Sequence, residues 1–163
     1  CGHVGKDLVK LLRPFSCKIL VHDILNFEDF YQENDVIATE LDELIKQSDV
    51  VTLHLPLDSS TKNIMDREKL DLLKSDAILI NLARGGLIDE TALKELLKKK
   101  KIAGSALDVF VTEPPTDNDL IELENVLVTP HIGGSTEEAI LAMGMAAIDG
   151  LENAQDPLIF CNR

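Results

Sequence analysis

Along most of the chain, short apolar runs alternate with stretches in which leucine and isoleucine recur every three or four residues. The runs "KILVHD" (18–23), "DVVTLHL" (49–55), "AILINLA" (77–83), "IAGSALDVF" (102–110) and "VLVTPH" (126–131) read as strands. They are apolar on both faces, as strands of a parallel sheet covered by helices should be. Between them Val4, Leu8, Leu11 and Leu12, then Leu41, Leu44 and Ile45, then Leu70, Leu72 and Leu73, then Leu93, Leu96 and Leu97 follow helical spacing. Start signals accompany them: Thr39 stands three residues before Asp42, Asp89 opens "DETALKELL", and Ser135 precedes Glu138 by three as a capping box. Five strands alternating with at least five helices predict an α/β fold, a Rossmann-like doubly wound parallel sheet in three αβα layers. Without a repeat or an interdomain linker, residues 1–163 read as one domain.

Composition narrows the partners. Hydrophobic residues make up 45% of the 163-residue chain, enough for one aliphatic core. A formal net charge of -13 repels a phosphate backbone and an anionic membrane surface, so neither nucleic acid nor lipid is an expected partner. An anionic small ligand stays compatible if a helix N-terminus or a local cluster of donors receives it. Cys1, Cys17 and Cys161 are odd in number and lack CxxC spacing, which predicts neither a disulfide framework nor a metal site and suits a reducing cytoplasm. No run approaches the ~20 apolar residues of a membrane helix, and no signal-peptide pattern opens the sequence. The "KKKK" at 98–101 reads as a solvated helix end that complements the helix dipole.

Two groups of residues carry chemistry. The opening "CGHVGK" has Gly2 and Gly5 ahead of a helix, where Gly2 would admit a pyrophosphate and Gly5 would allow close helix-to-strand packing. A dinucleotide fingerprint also needs a strand and another glycine ahead of Gly2, so the first strand is expected to be truncated. Asp23 closes the next strand, where an acidic group accepts from ribose hydroxyls and repels a 2′-phosphate, favouring NAD over NADP. Leu55 and Ser60, beyond the following strand, are plausible lining positions.

At successive strand ends stand Arg84, then Asp108 with Glu113, then His131. Strand ends of a parallel sheet share one edge, which lets such residues converge. An imidazole titrating near neutrality suits proton transfer during hydride transfer, a carboxylate on its second nitrogen fixes the ring, and a guanidinium matches a substrate carboxylate. Together they predict a redox or lyase site.

The stretches "GHVGK", "NLARGGLIDETAL", "IAGSALDVFVTEPP" and "VTPHIGGSTEEA" resemble the D-isomer-specific 2-hydroxyacid dehydrogenases over essentially the whole chain, and within them the D-3-phosphoglycerate branch most. The resemblance implies NAD as cofactor and oxidation of D-3-phosphoglycerate to 3-phosphohydroxypyruvate, a step of serine biosynthesis. D-lactate and glycerate or hydroxypyruvate relatives share much of the wording. Arg84 matches the substrate-binding arginine, Glu113 the histidine-orienting carboxylate and His131 the acid/base. Glutamine-bearing formate dehydrogenase relatives differ at position 113. Asp108 matches an aspartate near the nicotinamide. His3, Val4, Asp23, Leu55, Ser60, Leu82, Ala83, Ile132, Gly133 and Gly134 fall at cofactor-contacting positions. The family's separate substrate domain is not in this sequence, so the resemblance implies a cofactor domain from a two-domain enzyme, inactive when isolated. It also implies a homodimer through this domain, to which "AILAMGMAAI" (139–148) would contribute. NAD-sensing co-repressors similar to the family keep the same residues, which leaves an interaction protein as the alternative.

Overall fold

A computed structural model describes residues 1–116 and 118–154. Cys161 lies outside the described residues. The chain divides into two units, Cys1–Pro130 and His131–Arg163, each described by itself.

The first unit begins with α1 (His3–Leu12), followed by a 3-10 turn, Arg13–Phe15. Two short parallel strands come next, β1 (Ile19–Val21) and β2 (Val36–Ala38), joined through α2 (Glu28–Glu33). Val9, Tyr31 and Val36 form their small core. Tyr31 meets Phe27 edge to face at 6.3 Å, and Lys6 of α1 stands 4.0 Å above the Phe27 ring, tying α1 to α2.

The larger sheet runs β3 (Val50–Leu53), β4 (Ile78–Asn81), β5 (Gly104–Leu107) and β6 (Val126–Val128), all parallel and in sequence order. This is the predicted Rossmann-like α/β architecture, with its strands at the expected places and trimmed at their ends. Rows such as Val51, Leu79, Ser105 and Val126 share one face. Against that face lie α3 (Leu41–Gln47), α4 (Arg67–Leu70), α5 (Glu90–Lys98) and α6 (Asn118–Ile121), contributing Ile45, Leu70, Leu93, Leu96, Leu97 and Leu120 to one core. On the opposite face Val50, Ile78 and Leu127 are exposed.

Several local expectations shift. The strand β2 and the helices α2 and α6 come from segments with no clear period. The sheet is also interrupted: β1 pairs with β2 and β3 with β4, and no ladder joins β1 to β3. Thr39 does not cap α3, because its N–H donates to the Val21 carbonyl and keeps it bound to the ladder; Glu40 takes the cap position without a side-chain bond. Leu72 and Leu73 lie past the end of α4, in a turn that still buries Leu73. Asp89 caps α5 as expected, its carboxylate accepting the Ala92 N–H at 2.9 Å. Three of the four lysines at 98–101 end in ion pairs, Lys98 with Asp119, Lys99 with Glu95 and Lys101 with Asp71.

The second unit is α7 (Glu137–Glu152) with the turn before it. Its cap is Thr136 rather than Ser135, since the Thr136 hydroxyl accepts the Ala139 N–H at 3.1 Å while the Ser135 N–H closes a turn on Ile132. No helix is long and apolar enough to cross a membrane among the described residues.

Candidate active site

The amino-terminal candidates gather around one end of β1. Gly2 is the N-cap of α1, and a Cβ placed there would meet nothing within 4 Å. No side chain caps the first N–H groups of α1 and its first turn, which contains His3, Val4 and Gly5, has no acidic residue. The close packing expected of Gly5 is not made either: a Cβ there also meets nothing within 4 Å. Asp23 stands two residues past the end of β1, and its carboxylate accepts from the Cys1 ammonium and from the Leu25 N–H.

A second group lies beyond the carboxyl ends of β3, β4 and β5. Leu55 and Ala83 pack partly buried on the main core, whereas Leu82 is exposed. Ser60 donates through both its N–H and its hydroxyl to Asp58, at 2.7 and 2.6 Å, which keeps the Asp58 carboxyl ionised to a lower pH than usual. Arg84 is exposed, and its guanidinium donates to the Ala83 carbonyl at 2.6 Å.

The glycines after Arg84 have separate reasons. Gly86 adopts φ +82°, open to few other residues. A Cβ on Gly85 would lie 1.9 Å from the Phe110 carbonyl oxygen, so only glycine lets the loop after β4 slide beneath the loop after β5. That second loop carries Asp108 and Glu113. Asp108 is buried, donates its N–H to the Asn81 carbonyl at 3.1 Å, and accepts the Thr129 hydroxyl at 2.5 Å. Glu113 folds back so that its carboxylate accepts the Phe110 N–H at 3.0 Å, and Glu90 at the start of α5 accepts the Val111 N–H at 2.7 Å. The structure thus brings the Arg84 loop against the Asp108–Glu113 loop.

His131, Ile132, Gly133 and Gly134 belong to the second unit. His131 holds φ +54°, a left-handed conformation that side-chain-bearing residues seldom adopt and that recurs at functional sites. The supporting residues Asn81, Glu90 and Thr129 escape a motif-based reading. Only Asn81 leaves a trace in sequence, as a polar residue inside the apolar run at 77–83.

The chain matches the family model "D-isomer specific 2-hydroxyacid dehydrogenase, NAD binding domain" over residues 1–133. It belongs to that family. D-3-phosphoglycerate dehydrogenase of Methanocaldococcus jannaschii is 46% identical over 144 residues, covering 88% of this chain and 28% of that protein. Hydroxypyruvate reductase of Thermotoga maritima is 40% identical over 151 residues, covering 91% of this chain and 48% of the relative. Among solved structures, D-lactate dehydrogenase from Aquifex aeolicus complexed with NAD and lactic acid is similar with a TM-score of 0.85 at 31% identity, covering 93% of this chain and 50% of that one. The chain therefore spans between about a quarter and a half of the length of these three relatives. Its cofactor is NAD, as the family description states.

Proposed function

We propose that the domain serves an oxidoreductase interconverting a D-2-hydroxy acid and its 2-oxo acid, with D-3-phosphoglycerate the favoured substrate and residues 1–163 the cofactor domain of a two-domain enzyme. The observation that carries this reading is the interlock at Gly85 and Phe110, which sets a guanidinium-bearing loop against the Glu113 loop at the carboxyl edge of the sheet. The relative at 46% identity supports phosphoglycerate over the hydroxypyruvate alternative at 40%.

The amino-terminal residues suit a dinucleotide. The uncapped first turn of α1, free of acidic side chains, offers N–H groups and the positive end of a helix to a diphosphate, and the open space at Gly2 lets it approach. Asp23 accepts from ribose hydroxyls and repels a 2′-phosphate. Leu55, Ser60, Leu82, Ala83 and Asp108, with Ile132, Gly133 and Gly134, complete the cofactor-contacting set.

NAD, when bound, supplies the acceptor for the hydride leaving C2. Arg84 receives the substrate carboxylate in a bidentate pair and polarises the C2 oxygen. His131 takes the hydroxyl proton in oxidation and returns it in reduction, and Glu113 holds the imidazole in the productive tautomer. In the full-length protein His131→Ala should lower kcat by about a hundredfold or more with NADH affinity within about twofold. Turnover close to wild type would reject the role.

The enzyme acts as a homodimer through this domain. In support, α7 has no buried residue, and Ile140, Leu141, Met143, Met145, Ile148 and Leu151 are 49 to 80% exposed, an apolar surface that calls for cover. Sedimentation of the full-length protein as monomer at micromolar concentration would contradict this. Cys1 and Cys17, both free thiols, suit the cytoplasm, and the net charge of -13 argues against nucleic acid or anionic membrane as a partner.

A further inference from the structure

Asn81 is the last residue of β4 and only 2% exposed. The residues level with it, Leu53, Leu107 and Val128, are all apolar. A carboxamide in such a row is costly unless its polar atoms are bonded. Both ends of it are used: Oδ1 accepts the Ala83 N–H at 3.1 Å and Nδ2 donates to the Arg84 carbonyl at 2.9 Å. The side chain therefore grips the backbone on both sides of the Ala83–Arg84 bond. Its own carbonyl accepts the Asp108 N–H at 3.1 Å, which links the same residue to the neighbouring loop. An aliphatic residue would fill the volume equally well and leave the turn unheld, so packing does not explain an asparagine here.

We propose that Asn81 is a positioning residue, fixing the backbone from which the Arg84 guanidinium meets the substrate carboxylate; this rests on the reading of Arg84 as the carboxylate receiver. The carboxamide acts as a side-chain splice at the strand end: its acceptor replaces the next ladder partner of Ala83, and its donor stops the Arg84 peptide from rotating. An arginine fork needs a fixed base to form two bonds at once.

The test is steady-state kinetics on the full-length protein with Asn81→Asp, Arg84→Ala and the double variant. Asn81→Asp keeps the acceptor and removes the donor. It should raise the KM for the 2-oxo acid by about tenfold while leaving the KM for NADH within about twofold. In the Arg84→Ala background, itself weaker for the 2-oxo acid by about a hundredfold, it should add nothing further. An unchanged 2-oxo acid KM, an equal effect on NADH, or a full tenfold effect persisting without the arginine would overturn the positioning role. A normal KM in Arg84→Ala overturns the reading of Arg84 itself, and is distinct from a silent Asn81→Asp beside a crippled Arg84→Ala. Should Asn81→Asp not fold, hydrogen exchange on the unsubstituted protein decides: an Ala83 N–H as slow as the β4 amides supports the splice, and exchange at an open-loop rate overturns it.

Discussion

The two parts of the parallel sheet are held together differently. Beyond β3, β4 and β5 each loop is fastened to the next: the Asn63 N–H donates to Gly86 at 2.8 Å, Met65 bridges Ile88, Gly85 lies beneath Phe110, and Val111 is held by Glu90. Around β1 and β2 there are two three-residue strands over Val9, Tyr31 and Val36, and α1 leaves Val4 and Leu11 exposed. Arg84 and Glu113, two of the groups assigned to the reaction, sit on the interlocked part, where misplacement by an ångström is expensive. The groups assigned to phosphate and ribose sit on the lighter part, where backbone N–H groups and one carboxylate tolerate more play.

Gly85→Ala should have the largest effect. A Cβ 1.9 Å from a backbone oxygen forces one loop to move, and the expected loss is about 3 kcal/mol or more by urea denaturation. A loss of only a few tenths would mean that the loops are not locked. The cores can be compared next. Leu93→Ala, fully buried in the larger core, should cost about 3 kcal/mol, whereas Val9→Ala in the small one should cost about half as much. Equal losses would erase the contrast. Smaller again is Asp89→Ala, which removes the cap of α5 and should cost about 1 kcal/mol.

Much of the fastened part can be read from sequence, and the reason is physical. Strands β3 and β4 sit in mostly apolar runs whose alternate residues, Val51, Leu53 and Leu79, are buried under the helices, and "ARGG" announces a turn that side chains cannot make. The lighter part reads poorly. In β2 the three residues of "VIA" are too few to carry a period, and its pairing with β1 is long-range information. The cap shifts from Thr39 to Glu40 and from Ser135 to Thr136 depend on whether the preceding residue is still bound in a ladder or a turn, which spacing does not encode. Arg84 and Glu113 could be nominated from type and position, but their supports could not. Asn81 and Thr129 matter through a hydrogen bond to a residue that only the fold brings near.

A pH titration of stability sharpens the picture with the smallest effect. His54, just past β3, is half-buried with Nε2 3.1 Å from the Thr52 hydroxyl; burial lowers its pKa from the ordinary 6.5. The folded state then binds fewer protons than the unfolded chain below that value. Stability should be full above pH 6.5 and fall as the pH drops from there through the folded pKa, and His54→Asn should flatten this part of the profile.

Arg84 is proposed to receive the substrate carboxylate beside the Glu113 loop. A crystal structure of the full-length protein with NADH and oxamate tests it most directly. The oxamate carboxylate should pair with two guanidinium nitrogens of Arg84 at about 2.7 to 2.9 Å. A carboxylate seated on other groups, with Arg84 turned to solvent, would contradict it.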